Sequence, residues 1–199
     1  PSGPACHKPP HTRSGPGHSG DAAKENKVSF MKNMWNNFHV GVFVDSCRFG
    51  NEEQVHMMLA KEPELAGAKD KRGVAALCYA VAHGHVNIVS ALLKAGAEPD
   101  EVEPEKGWTP LIIAATKGHA GLIAILLEYG ADPNHTDPHG AAALHHAAYE
   151  GYSEIVTLLL AKGADAMRKD SLGNSAYDLA VREAHRDVVK EMESRLSSE

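Results

Sequence analysis

A chain of 199 residues, 43% hydrophobic and 23% charged, is long enough to bury a sizeable core in one or two ordinary soluble domains. Its formal net charge of -6, with 13 histidines counted as neutral, does not supply the basic field of a nucleic-acid binder, so no nucleic-acid partner is expected. Cys6, Cys47 and Cys78 have no C-x-x-C spacing, which argues against a disulfide framework and for a reducing, intracellular setting, and no run approaches the roughly 18 uninterrupted apolar residues of a membrane span.

Residues 1–27, "PSGPACHKPPHTRSGPGHSGDAAKENK", are dominated by Pro, Gly, Ser and His. Such a segment buries too little apolar surface to offset the entropy of ordering it, and it reads as a disordered tail. Cys6, His7, His11 and His18 within it would hold a metal only adventitiously. Residues 28–38 regain helical spacing, with Phe30, Met34 and Phe38 four apart and Met31 and Trp35 likewise, which predicts a short amphipathic helix capping the domain C-terminal to it.

Beyond this helix the chain repeats itself. Gly73, Gly107, Gly140 and Gly173 open "GVAAL", "GWTPL", "GAAAL" and "GNSAY" at steps of 34, 33 and 33. A second series, Gly50, Gly84, Gly118 and Gly151, steps by 34, 34 and 33, and a third runs through Gly96, Gly130 and Gly163 in "LLKAGAEPD", "LLEYGADPN" and "LLAKGADAM". Three phased series across the chain mark a repeat array.

One unit can be read from its chemistry. Thr109 is suited to cap a helix that Pro110 starts, and Leu111, Ala114 and Ala115 give that helix a narrow apolar stripe. Gly118 ends it through a left-handed turn; a second helix comes next with Leu122, Ile123, Leu126 and Leu127, and Gly130 stops it. The loop "ADPNHTDPHG" then leads to the next unit. Since no unit can bury its own apolar face, stability must come from stacking neighbours. Only the middle unit keeps Thr-Pro; Ala75-Ala76, Ala142-Ala143 and Ser175-Ala176 replace it, which predicts a less stable array than an idealised one.

These units resemble ankyrin repeats, whose pattern G-x-T-P-L-H-x-A-A-x-x-G-H and I-V-x-x-L-L-x-x-G-A-x-x-N is matched over about Phe38 to Met192. The resemblance implies an all-α ankyrin-repeat solenoid of helix-turn-helix units joined by extended, β-hairpin-like loops. The domain would span 28–199, with repeats at about 39–69, 70–103, 104–136, 137–169 and 170–199. The first repeat is degenerate, and in the last Ala184 replaces the turn glycine while Val188, Val189, Met192 and Leu196 face inward.

The resemblance also implies a non-catalytic protein interaction module: a scaffold, adaptor or inhibitor, monomeric on its own, binding another protein on its concave face and loop tips. Carried over position by position, the partner-binding residues are Arg48, Phe49, Lys71, Arg72, His83, Lys106, Trp108, Lys117, His139, Tyr149, Glu150 and Arg182, within a variable surface that also takes in Val74, Ala82, Glu105, Thr116, Pro138, Ala141 and Glu183. Trp108 then stands where stacking needs no apolar residue, free to form an aromatic anchor with Tyr149 and Phe49. Six cations against Glu105, Glu150 and Glu183 bias this face towards an acidic segment.

No catalytic set, phosphate-cradling glycine loop or metal motif stands out, so no enzyme activity, cofactor or metal is expected. His85, His119 and His145 are read as braces between loops; His135, His139, His145 and His146 lack the accompanying ligands of a zinc site. Cys47 and Cys78 fall where the pattern has small residues and are expected to be buried, inert thiols. Leu126, Asp132 and Asn134 match the spacing of ankyrin asparagines that resemble substrates of an asparaginyl hydroxylase. The second reading, a regulatory ankyrin segment of a larger enzyme or channel, suits the start at Pro1 and the linker-like opening.

Overall fold

The computed structural model describes residues 37–196; the expected 1–27 tail, residues 28–36 of the expected capping helix and the side chain of Leu196 lie outside the described residues. A continuous helix, α1, runs through residues 37–49. It is followed by α2 (Glu52–Lys61), a 3-10 turn (Pro63–Gly67), α3 (Ala76–Ala82), α4 (Val86–Lys94), α5 (Pro110–Lys117), α6 (Ala120–Glu128), α7 (Ala143–Glu150), α8 (Ser153–Ala161), α9 (Ala176–Arg182) and α10 (Arg186–Leu196). The helices form antiparallel pairs, and among the described residues extended structure is limited to four isolated antiparallel bridges that close the hairpins: Lys69 with Ala75, Glu103 with Trp108, Thr136 with Ala142 and Lys169 with Ser175.

The sequence period becomes a packing period. Ala80, Ala114, Ala147 and Ala180 recur at the same point of the first helices, each with 0% of its surface exposed, and Leu92, Leu126, Leu159 and Met192 do so in the second helices. Small residues at the first-helix contact let those helices approach closely. They pack against one another more intimately than the second helices do.

Each junction is closed by a ring over a glycine. Gly50, Gly84, Gly118 and Gly151 all have φ between 76 and 81 degrees, and the residue after the turn position of the next pair lies across each one: His85 on Gly50, His119 on Gly84, Tyr152 on Gly118 and, after Ala184, His185 on Gly151. A Cβ on Gly50 would sit 2.7 Å from the His85 ring, so the turn needs glycine for space as well as for backbone. His85 Nε2 donates to the Arg48 carbonyl at 3.2 Å, the bracing expected of it, and His185 Nε2, which the sequence reading did not single out, donates to the Tyr149 carbonyl at 2.9 Å.

Helix starts vary. Thr109 Oγ1 accepts from Ile112 N–H at 3.3 Å, as expected. Ser175 Oγ accepts from Asp178 N–H at 3.1 Å while Asp178 Oδ2 accepts from Ser175 N–H at 2.9 Å, a reciprocal cap that offsets the missing Thr-Pro of the last pair. Ala75 and Ala142 supply no side-chain acceptor.

The last pair carries a strained turn. Ala184 stands where the other pairs have glycine and adopts φ of 61 degrees. A left-handed L-residue costs about 1–2 kcal/mol, while glycine gives back about 0.4–1 kcal/mol through unfolded-state entropy. Ala184→Gly is therefore expected to stabilise the protein by about 0.5–1 kcal/mol. In a chain of this size that is a rise in Tm of roughly 1–4 °C, and an unchanged or lower calorimetric midpoint would show that the turn is not strained.

Candidate functional site

The first-helix face is built by the last turns of α1, α3, α5, α7 and α9 together with the hairpin tips. Three hairpins share one local device. Asp70, Asp137 and Asp170 each fold back so that Oδ1 accepts two tip N–H groups: from Arg72 and Val74 at 2.8 and 2.9 Å, from His139 and Ala141 at 2.8 and 3.0 Å, and from Leu172 and Asn174 at 2.9 and 2.8 Å. The hairpin carrying Trp108 differs. Gly96 and Gly107 are 11 residues apart, whereas Gly130–Gly140 and Gly163–Gly173 are 10 apart, and Pro104 occupies the aspartate position. Glu103 takes over: its two carboxylate oxygens accept from Glu105 N–H at 3.0 Å and Lys106 N–H at 2.8 Å. The extra residue makes Trp108, rather than its neighbour Thr109, the bridge partner on that hairpin.

Trp108 is consequently not the free aromatic knob expected from its place in the repeat. It is half-buried against the core, its ring meets His146 of the next pair edge-on at 5.3 Å, and Lys106 Nζ lies 4.4 Å over its centroid. The expectation that stacking makes no use of Trp108 is corrected accordingly, because the longer hairpin folds the indole onto α7. Val74 is corrected as well: it is buried at 6% exposure instead of belonging to a variable surface.

Next to Trp108 lies a cleft of about 210 Å³ between α3 and α5. Its floor is apolar, from Val74, Cys78 and Ile113, and Tyr79 and Trp108 stand at its sides. The rim carries Arg72, Lys106 and Lys117 together with Glu103 and Glu105. Arg72 Nη2 donates to the Tyr79 hydroxyl at 2.5 Å, and that hydroxyl donates to Asp70 Oδ2 at 2.7 Å. Burial and the Asp70 carboxylate push the Tyr79 phenol up, so it stays protonated in this chain of bonds. Arg48 stacks over Tyr79 at 5.1 Å and over Phe49 at 5.7 Å.

Arg48, Arg72, Lys106 and Lys117 thus form a cationic row. Among the described residues Arg72 pairs with Asp70 at 3.4 Å, while no carboxylate comes within ion-pairing distance of Arg48, Lys106 or Lys117. Glu103 and Glu105 line the same cleft, and the Glu103 carboxylate is engaged by backbone N–H groups.

The other predicted residues are scattered by comparison. Lys71, His139 and Glu150 are exposed, and Tyr149 and Phe49 remain 47% and 68% exposed. His83 Nδ1 engages the Tyr79 carbonyl at 2.9 Å and its ring stacks on His85 at 5.9 Å; Arg182 pairs with Glu183 at 3.0 Å. Sequence reasoning omitted Tyr79 and Ile113. The signal was the position itself, since Tyr79, Ile113 and His146 recur at steps of 34 and 33 one turn before the exposed end of each first helix.

The remaining candidates are tied into the scaffold. His145 is 1% exposed, bonded on both ring nitrogens, and Asn134 links its hairpin to the next by donating to the Gly163 carbonyl and accepting from Asp165 N–H, both at 2.9 Å. Burial pushes the Cys47 and Cys78 thiols up to about 12, in line with inert side chains. Among the described residues no three His, Cys, Asp or Glu side chains are grouped as a metal site, and no helix is long and apolar enough to cross a membrane. A broader depression of about 910 Å³ between α2 and α4 is lined by Leu59, Ala60, Ala91 and Lys94 and contains none of the predicted residues.

Comparison with known proteins bears on these observations. A family model described as ankyrin repeats (3 copies) matches residues 43–137, and one described as ankyrin repeats (many copies) matches residues 126–180. A search of curated proteins finds no match. Ankyrin repeats generally mediate protein–protein interaction. With glycine series, stacked helix pairs and bridged hairpins all in that family's register, the chain belongs to the ankyrin-repeat family.

Proposed function

We propose that the protein is a non-catalytic interaction module that holds an acidic segment of a partner protein on its first-helix face and hairpin tips, in the interior of the cell. The observation that carries this reading is the row of Arg48, Arg72, Lys106 and Lys117 around Tyr79 and Trp108, three of whose cations lack an ion-pair partner among the described residues in a chain of net charge -6. Leaving cations unpaired on one face of an acidic protein favours and orients an approaching anionic partner. The aromatic residues beside them supply the rigid contact area that dominates binding energy.

The remaining predicted residues, Phe49, Lys71, His83, His139, Tyr149, Glu150 and Arg182, extend the surface along the array. The test is affinity capture from cell lysate with the full chain beside a Trp108→Ala, Tyr149→Ala variant whose circular dichroism and urea midpoint are checked first. Proteins held by the wild type are expected to fall at least about tenfold with the variant. Equal retention would move the working surface to the second helices.

A further inference from the structure

We infer that the cleft between α3 and α5 is an anchor subsite for one large apolar side chain of the partner, set between Asp or Glu residues of the same short segment. This inference rests on the acidic-segment reading and makes it specific. At about 210 Å³ the cleft is smaller than the roughly 300–1,000 Å³ of small-molecule sites, which suits one side chain better than a cofactor. Its floor of Val74, Cys78 and Ile113 offers no charge, and its rim sets Arg72, Lys106 and Lys117 against Glu103 and Glu105, with the Glu103 carboxylate taken up by the Glu105 and Lys106 N–H groups, so the balance favours an acidic neighbour beside the inserted group.

Repetition shows why this junction is open. Ala82, Thr116 and Tyr149 occupy the same step of successive first helices, so the smallest of the three borders this cleft. At the next junction Trp108 and His146 meet edge-on at 5.3 Å. The walls are also held in place before anything binds. Tyr79 is fixed between Arg72 and Asp70, and Trp108 between Lys106 and His146, so an inserted side chain meets a preorganised site.

The experiment uses the emission of Trp108, isolated by Trp35→Phe because the chain's two tryptophans are Trp35 and Trp108. Three synthetic peptides are titrated into the full chain: an Asp/Glu-rich peptide with one central Leu, the same peptide with Ser in its place, and the Leu peptide with Lys flanks. The acidic Leu peptide is expected to bind about tenfold or more tightly than the Ser peptide. Ala82→Tyr, which this fold accommodates since Tyr149 stands at the equivalent step, should remove that advantage and leave the Ser peptide unchanged. Arg72→Glu with Lys117→Glu should weaken both acidic peptides. Equal binding of the Leu and Ser peptides, or an Ala82→Tyr variant that keeps the difference, overturns the anchor and leaves the acidic-segment reading standing. Equal binding of the Lys-flanked peptide overturns the charge reading and the inference with it, and no response to any of the three at millimolar concentration overturns the inference.

Discussion

Replacing Leu126 by alanine should lower stability by about 2–5 kcal/mol, a large share of what an ordinary domain has. Leu126 is 0% exposed in α6, and α6 packs against α5 of its own pair and against α4 and α8 of the flanking pairs. The cavity would therefore open at a point shared by two junctions. In an array whose stability is a sum of unit and neighbour terms, that weakens both couplings at once. Leu172→Ala provides the contrast, because Leu172 is 83% exposed at a hairpin tip and its loss should change stability by less than about 0.5 kcal/mol. Urea unfolding followed by far-ultraviolet circular dichroism separates the two. A Leu126→Ala loss below about 1 kcal/mol would mean that neighbouring pairs close over the gap, contrary to the packing described.

The period of the array was legible because it is written in residues whose role is local. Glycines at left-handed turns, a Thr-Pro start and leucines at helical spacing each fix their own element, so the helix pairs and their order can be read from the chain. What depends on contact across a junction was not legible. Trp108 looks surplus to its own unit, and only the extra residue of its hairpin, together with His146 from the next first helix, turns it inward. Val74, too, is buried in the core cluster although its place at a hairpin reads as surface. The candidate surface was placed by family register and the cationic row was visible in it, but the cleft was not. A cleft is a difference between two junctions, here the small Ala82 against the larger Thr116 and Tyr149, and Tyr79 and Ile113 matter only once α3 and α5 lie side by side.

Stability should also fall as the pH drops below about 6.5, and His145 should be a principal cause. The ring is 1% exposed; Nδ1 accepts from Ala142 N–H at 3.2 Å and Nε2 donates to the Arg168 carbonyl at 3.0 Å. A backbone N–H can only donate, so this geometry requires the neutral ring with its proton on Nε2, and a second proton on Nδ1 would face a donor. Burial pushes the His145 pKa down, against the Arg168 carbonyl bond and the nearby Asp170 and Asp137 carboxylates that pull it up. Burial pushes His146 down too, against Asp137, whose Oδ2 lies 3.4 Å from its Nε2. With both folded pKa values below the unfolded one, the unfolded chain takes up protons first. The stabilisation is complete above about pH 6.5 and is lost as the pH falls from there towards the folded values. His145→Leu should flatten this part of the profile and, by leaving the Ala142 N–H and Arg168 carbonyl without their partner, cost about 2–4 kcal/mol at pH 7.5. Urea midpoints of wild type and variant at pH 7.5 and 5.5 decide the matter. A wild type equally stable at both, or a variant with the same slope, would show that the array's acid sensitivity does not run through this histidine.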